Sequence, residues 1–238
     1  MRFSVVVPAH NEELLLPRGL AAIAAASEPV ESVEVIVVAN RCTDSTIAIA
    51  QRAGAVVVES DARNIAAVRN AGARAAHGDA LVTVDADCVM SPRALAEIGR
   101  LLESGRYVGG GTKVLPERKS PGIRATYAVM EVTSFLARMS AAMFWCRLAD
   151  FIEIGGFDEH LLLAEDVEFA RRLRAHGRET GRRFKKLRTA PVVASTRKFD
   201  RFGDWHMFRM ALELREIRAA YKGTDSAWAD RYFFDFND

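Results

Sequence analysis

Apolar residues come in short bursts along the first half of the chain. Val5, Val6 and Val7 form a β-branched run that ends at Pro8, and residues 33–38, 55–58 and 80–84 repeat the pattern. The first two runs predict buried strands, and residues 55–58 and 80–84 a third and a fourth strand. Between them the spacing is helical. Pro17 suits a first helical turn, Thr43 or Asp44 can cap a second helix that Gly54 ends, and Asn64 can cap a third that stops by Gly78. Ser91 and Pro92 open a fourth helix that runs to Glu103. The resulting βαβαβαβα alternation predicts an α/β fold: a Rossmann-like, mostly parallel sheet flanked by helices on both faces.

The second half is less regular. Residues 107–114 predict a strand, 123–142 an amphipathic helix, 165–175 a helix closed by Gly177, and 191–195 a short strand. Residues 201–238 read as a helical extension ending in Trp228, Tyr232, Phe233, Phe234 and Phe236, an apolar surface for its own domain or for a second copy in a homodimer. There is neither an internal repeat nor a linker, so 1–238 is expected to be a single domain.

Composition narrows the picture. Half the residues are hydrophobic and 27% are charged, ordinary for a soluble globular domain. The formal charge of +2 argues against nucleic acid as a partner. Cys42, Cys88 and Cys146 are odd in number and form no CxxC, so a disulfide framework and a zinc knuckle are excluded and a reducing, cytoplasmic location is expected. The longest apolar stretch, 125–149, is interrupted by Glu131, Arg138 and Arg147, too often for a membrane span. The apolar run after Arg2 stops at Pro8 and reads as a strand, not a signal peptide. Residues 182–188 carry five positive charges in seven positions, either a solvated loop or a contact with anionic lipid at the inner membrane face or with a phosphorylated acceptor.

In an open parallel sheet, ligands bind beyond the carboxyl ends of the strands. Those ends carry His10-Asn11-Glu12, Asn40-Arg41-Cys42-Thr43-Asp44, Ser60-Asp61-Ala62-Arg63 and Asp85-Ala86-Asp87. If the fourth strand runs straight into the last of these, both carboxylates project to one side and repel, which a hard divalent ion such as Mg²⁺ or Mn²⁺ beside phosphate oxygens would resolve. No GxGxxG follows the first strand and no GxxxxGK[ST] exists, which disfavours a dinucleotide site and excludes a P-loop. The glycine-rich loop of nucleotidyltransferases is also missing. Gly109-Gly110-Gly111 reads as close backbone packing.

Five segments in order carry a resemblance: Val5-Val6-Val7-Pro8-Ala9-His10-Asn11-Glu12; Val37-Val38-Ala39-Asn40-Arg41-Cys42-Thr43-Asp44; Arg63 through Asn70-Ala71-Gly72 to Gly78-Asp79; Asp85-Ala86-Asp87; and Gly155-Gly156-Phe157-Asp158-Glu159 with Glu165-Asp166. Together, over roughly residues 3–200, they resemble family 2 glycosyltransferases of the GT-A fold. The resemblance implies a nucleotide-binding half at 1–115, an acceptor-side half at 116–200 and the 201–238 extension. It implies nucleotide contacts at Pro8, Ala9, His10, Glu12, Asn40, Arg63 and Asp85, a metal at Asp87 with Asp85, and Asp166 as catalytic base with Glu165 beside it. The helix that Asp166 opens favours its ionised form through the dipole. Trp145 either lines an acceptor pocket or packs in the core. His206 is either a third metal ligand, a lid residue or structural.

The implied activity is transfer of one sugar, with inversion, from a UDP-, GDP- or dTDP-sugar to an acceptor hydroxyl. Ala39-Asn40-Arg41-Cys42 replaces the family's usual acidic loop, so uridine is not specified. The QxxRW motif of processive synthases is absent, in line with single-sugar transfer. The alternative is a catalytically inactive nucleotide-binding or scaffold protein of the same fold.

Overall fold

The structure is a computed structural model and describes residues 1–136, 141–161 and 164–210. The elements run β1 (Arg2–Ala9), α1 (Leu16–Ser27), β2 (Ser32–Asn40), α2 (Thr46–Arg52), β3 (Val56–Ser60), α3 (Ile65–Arg74), β4 (Ala80–Val84), β5 (Cys88–Met90) and α4 (Ala94–Glu103). Then come β6 (Tyr107–Pro116), α5 (Pro121–Leu136), β7 (Ala141–Arg147), α6 (Leu148–Glu153), α7 (Glu165–Glu179), β8 (Arg183–Ala194), α8 (Arg197–Phe202) and α9 (His206–Met210). One eight-stranded sheet has the order β3-β2-β1-β4-β7-β6-β8-β5. Its first four strands are mutually parallel, as expected. β7 is antiparallel to both its neighbours, whereas β6 and β8 run parallel to each other.

The valine runs explain the double-sided burial. Val5 and Val7 join a core with Leu16, Leu20, Ile98 and Trp145, while Val6 faces the other side with Val38, Val68, Phe144 and Phe169. Every second residue goes to the opposite face, so a strand between two helical layers must be apolar throughout. Gly72 lets α3 sit directly on this sheet: a Cβ there would stand 2.4 Å from Val6 Cγ1 and 2.8 Å from Val38 Cγ2.

Three elements differ from the sequence-based expectation. The helix expected over 123–142 is α5, and residues 141–142 belong to β7. There Met143 and Trp145 pack on one face and Phe144 and Cys146 on the other, a period of two hidden inside a uniformly apolar stretch. β8 is far longer than the expected 191–195 and absorbs most of the basic run. Asp85–Asp87 are not extended: Cys88 N–H donates to Asp85 O at 3.0 Å, a turn that reverses the chain into β5. The glycine triplet behaves as expected, since a Cβ on Gly110 would collide with the Lys185 backbone and the Trp145 indole. The aromatic tail at Trp228 to Phe236 lies outside the described residues.

Candidate active site

The loops beyond β1 and β2 are tied to each other. His10 Nδ1 lies 2.7 Å from Asn40 O, Thr43 N–H donates to Asn11 Oδ1 at 2.8 Å, and Glu12 N–H donates to Thr46 Oγ1 at 2.8 Å. Ser45, not Thr43 or Asp44, is the N-cap of α2, while Asp44 Oδ1 just before it accepts from Thr46 N–H (2.9 Å). Pro8 and Ala9 are the last residues of β1 and are buried. Asn40 is buried at the end of β2, and its amide donates to Ser60 O (2.9 Å) and Ala62 O (2.8 Å). Two carbonyls fix the amide orientation and leave Oδ1 buried with no hydrogen-bond partner.

Backbone strain marks the same place. Among the described residues, the non-glycine residues at positive φ are Asn11 (48°), Arg41 (50°) and Ala164 (62°). The first two follow β1 and β2, and Ala164 is the N-cap of α7. A left-handed backbone costs such residues of order 1 kcal/mol each and collects where function requires it.

Arg69, which the sequence reading passed over, joins the two halves. It is buried on α3, with Nη2 2.8 Å from Asp85 Oδ1 and Nη1 2.7 Å from Glu165 Oε1. Burial alone would ease its proton off, but Asp85 and Glu165 outweigh that and raise its pKa. The available signal was one cation on the otherwise small, buried face Ala66-Arg69-Asn70-Ala73. Asn70 beside it donates to Phe157 O (2.8 Å) and accepts from Phe157 N–H (2.9 Å), while Asn64 caps α3 and reaches Glu159 O (2.7 Å). One helix therefore holds the whole 155–161 segment. Arg63 itself stands exposed at the mouth of this helix.

Asp87 is pushed above the usual carboxylate range, first by burial and then by the charge of Asp85, with Arg197 and Lys198 opposing. Arg197 Nη2 lies 3.7 Å from Asp87 Oδ2. The same guanidinium grips the buried Glu12 carboxylate at 2.5 and 2.9 Å. So remote a pairing leaves no local trace in sequence. Asp166, half-buried at the start of α7, is raised to about 6 by burial and by Glu165, against the pull of Arg69 and of a 2.7 Å bond from Val167 N–H. The helix dipole expected to favour its charge is thus outweighed. Glu165 is buried and engaged with Arg69, and Glu168 is held by Arg172 (2.7 Å) and Arg171 (3.2 Å).

Two expectations are corrected here. Trp145 does not line a pocket; it is fully buried in β7 with Nε1 3.3 Å from Gly111 O, because the sheet centre demands apolar volume. The basic run is a strand rather than a loop, with Arg183, Lys185 and Arg188 exposed along it. Lys186 and Arg188 pair with Glu131, Arg182 with Asp150, and Arg183 and Lys185 lie over the Tyr107 ring. His206 is buried against Phe199, its Nδ1 3.0 Å from Gly203 O.

A family model described as Glycosyl transferase family 2 matches residues 4–148, more than half of the chain. The chain belongs to glycosyl transferase family 2. This glycosyltransferase domain is 27% identical to validoxylamine A glucosyltransferase of Streptomyces hygroscopicus subsp. jinggangensis, over 73% of this chain and 51% of that protein. It thus spans about half the length of the curated relatives it matches. Among solved structures it is similar to the mannosyltransferase PcManGT of Pyrobaculum calidifontis, in complex with GDP-Man and Mn²⁺ (TM-score 0.68, 22% identity, 98% of this chain and 70% of that one). It is also similar to S. aureus TarS 1-349 in complex with UDP-GlcNAc (TM-score 0.65, 21% identity, 82% and 59%). The glycosyltransferase domain therefore has the GT-A fold, and no helix among the described residues is long and apolar enough to cross a membrane.

Proposed function

We propose that the domain transfers a single sugar from a nucleotide-sugar to an acceptor hydroxyl, with a divalent metal ion and with inversion at the anomeric carbon. The observation that carries this reading is the Arg69 bridge, which brings the Asp85–Asp87 turn and the first turn of α7 to one place. Support comes from the solved neighbours, which hold GDP-Man with Mn²⁺ or UDP-GlcNAc.

Asp87 and Asp85 fit a metal. They are oxygen donors on one turn, and the mutual repulsion of Asp85 and Asp87 is what a divalent cation would relieve. A bound Mg²⁺ or Mn²⁺ would supply Lewis-acid neutralisation of the departing diphosphate. The chain's own residues do the rest. Asn40 Oδ1 accepts from the nucleotide base, since its amide protons are already committed. Arg197 and Lys198 add positive charge beside Asp87. Asp166 accepts the proton of the acceptor hydroxyl as the new bond forms on the face opposite the leaving diphosphate.

Thermal shift with UDP, GDP and dTDP, each with Mn²⁺ and with EDTA, tests the donor side. One nucleotide should raise the melting midpoint only with metal, and Asp87→Ala should abolish that shift. Equal shifts in EDTA, or an unaltered variant, would remove the metal from the mechanism. No shift with any nucleotide would favour the inactive scaffold.

A further inference from the structure

Arg69 is more than a buried counter-ion. Its guanidinium forks to carboxylates on two separate elements, the turn after β4 and the first turn of α7, at 2.8 and 2.7 Å. The fork is held from the side as well. Its central carbon lies 5.4 Å from the Phe157 ring centroid, and Phe157 stacks on Phe169 of α7 at 4.3 Å. Phe157 is itself fastened through its backbone to Asn70, the neighbour of Arg69 on α3. The planar group is thus clamped, and both of its charged partners sit next to reacting positions: Asp85 two residues before Asp87, Glu165 directly before Asp166.

A cation needed only for charge balance could be a lysine. A rigid fork between two fixed carboxylates could not, because an ammonium is a single point on a flexible stem. We infer that Arg69 is a positioning residue, whose guanidinium sets where Asp166 stands relative to the Asp85–Asp87 turn. This rests on the transfer reading of the site. It assigns α3 a mechanical task distinct from contacting the nucleotide: fixing the gap across which donor and acceptor must meet. A misplacement of about 1 Å across such a gap costs on the order of a hundredfold in rate.

The test is Arg69→Lys, which keeps the charge and loses the fork. With Mn²⁺ and either UDP-glucose or GDP-mannose, donor consumption is followed with water as acceptor, so that no acceptor need be known. The expected result is KM within about threefold of wild type and kcat down by about a hundredfold. A kcat within threefold of wild type, or a rise in KM alone, would overturn the proposal and make Arg69 a counter-ion or a nucleotide contact. Glu165→Gln, which leaves the Arg69–Asp85 pair intact, should give the same split with a smaller loss, and unchanged turnover there would also count against it. Hydrogen exchange on Arg69→Lys gives a readout independent of turnover. The first-turn amides of α7 should exchange at least about tenfold faster, and unchanged exchange would overturn the brace. A wild-type protein that consumes neither donor and shows no metal-dependent shift with UDP, GDP or dTDP would overturn the transfer reading instead.

Discussion

Asp166 holds a half-buried carboxyl at a cost to stability. Its carboxyl titrates near 6 in the folded chain, against an ordinary 3.8, because burial and Glu165 both disfavour the charge. The unfolded chain releases this proton first, so folding stability falls as pH rises between about 4 and 6, by up to about 3 kcal/mol. Asp166→Asn should therefore melt higher than wild type at pH 8 and show no such gain at pH 4, by calorimetry at both pH values. The same variant should still bind nucleotide and should lose transfer. In the wild type, activity should rise with pH through about 6 as the base ionises. Normal turnover by the variant would place the base elsewhere, and the ion pairs of Glu165 and Glu168 make both poor replacements.

Among elements, α3 is the most informative. Gly72 has no room for a side chain: Gly72→Ala would press a methyl into Val6 and Val38, two stiff β-branched side chains in a sheet packed on both faces. Such overpacking costs about 1–3 kcal/mol, so urea unfolding should show a lower midpoint with an unchanged slope. The first four strands, their helices and the Asn64 cap were legible because each follows from local pattern. β7 was not, since an apolar strand of period two inside a long apolar stretch looks like a continuing helix. The site divided in the same way. The strand-end loops could be placed from sequence, whereas Arg69 and Arg197 pair with residues far along the chain, which no local spacing reports.

Across the whole molecule, the sheet separates two charged clusters at opposite ends of β4. Asp85 and Asp87 follow its last residue; at its first, Leu148 N–H bonds to Asp79 O and begins the helix that carries Asp150. There Asp150 is buried with His176 (3.1 Å) and gripped by Arg182 at 2.7 and 2.8 Å. Among the described residues, Asp150, Glu153 and His176 are the group of three close enough to share a metal, but a guanidinium already balances the charge. Burial would raise the Asp150 pKa, yet Arg182 and His176 hold it below the ordinary value. Its contribution is therefore present above about pH 4 and is lost in stronger acid. Arg182→Met should cost up to about 3–5 kcal/mol at pH 7 by leaving that carboxylate with His176 alone, and less at pH 3. Equal destabilisation at both pH values would mean that lost packing, rather than lost charge, is responsible.

The Glu12–Arg197 pair also bears on how the protein is made. A ribosome releases the chain from its N-terminus, and early segments can begin to organise before later ones exist. Glu12 and both carboxylates after β4 emerge long before the cation that grips Glu12. Throughout that interval the nascent chain carries its acidic pocket without this counter-charge, and without the α7 carboxylate that faces it. A translation product cut short before Arg197 would accordingly keep Glu12, Asp85 and Asp87 without this balancing cation.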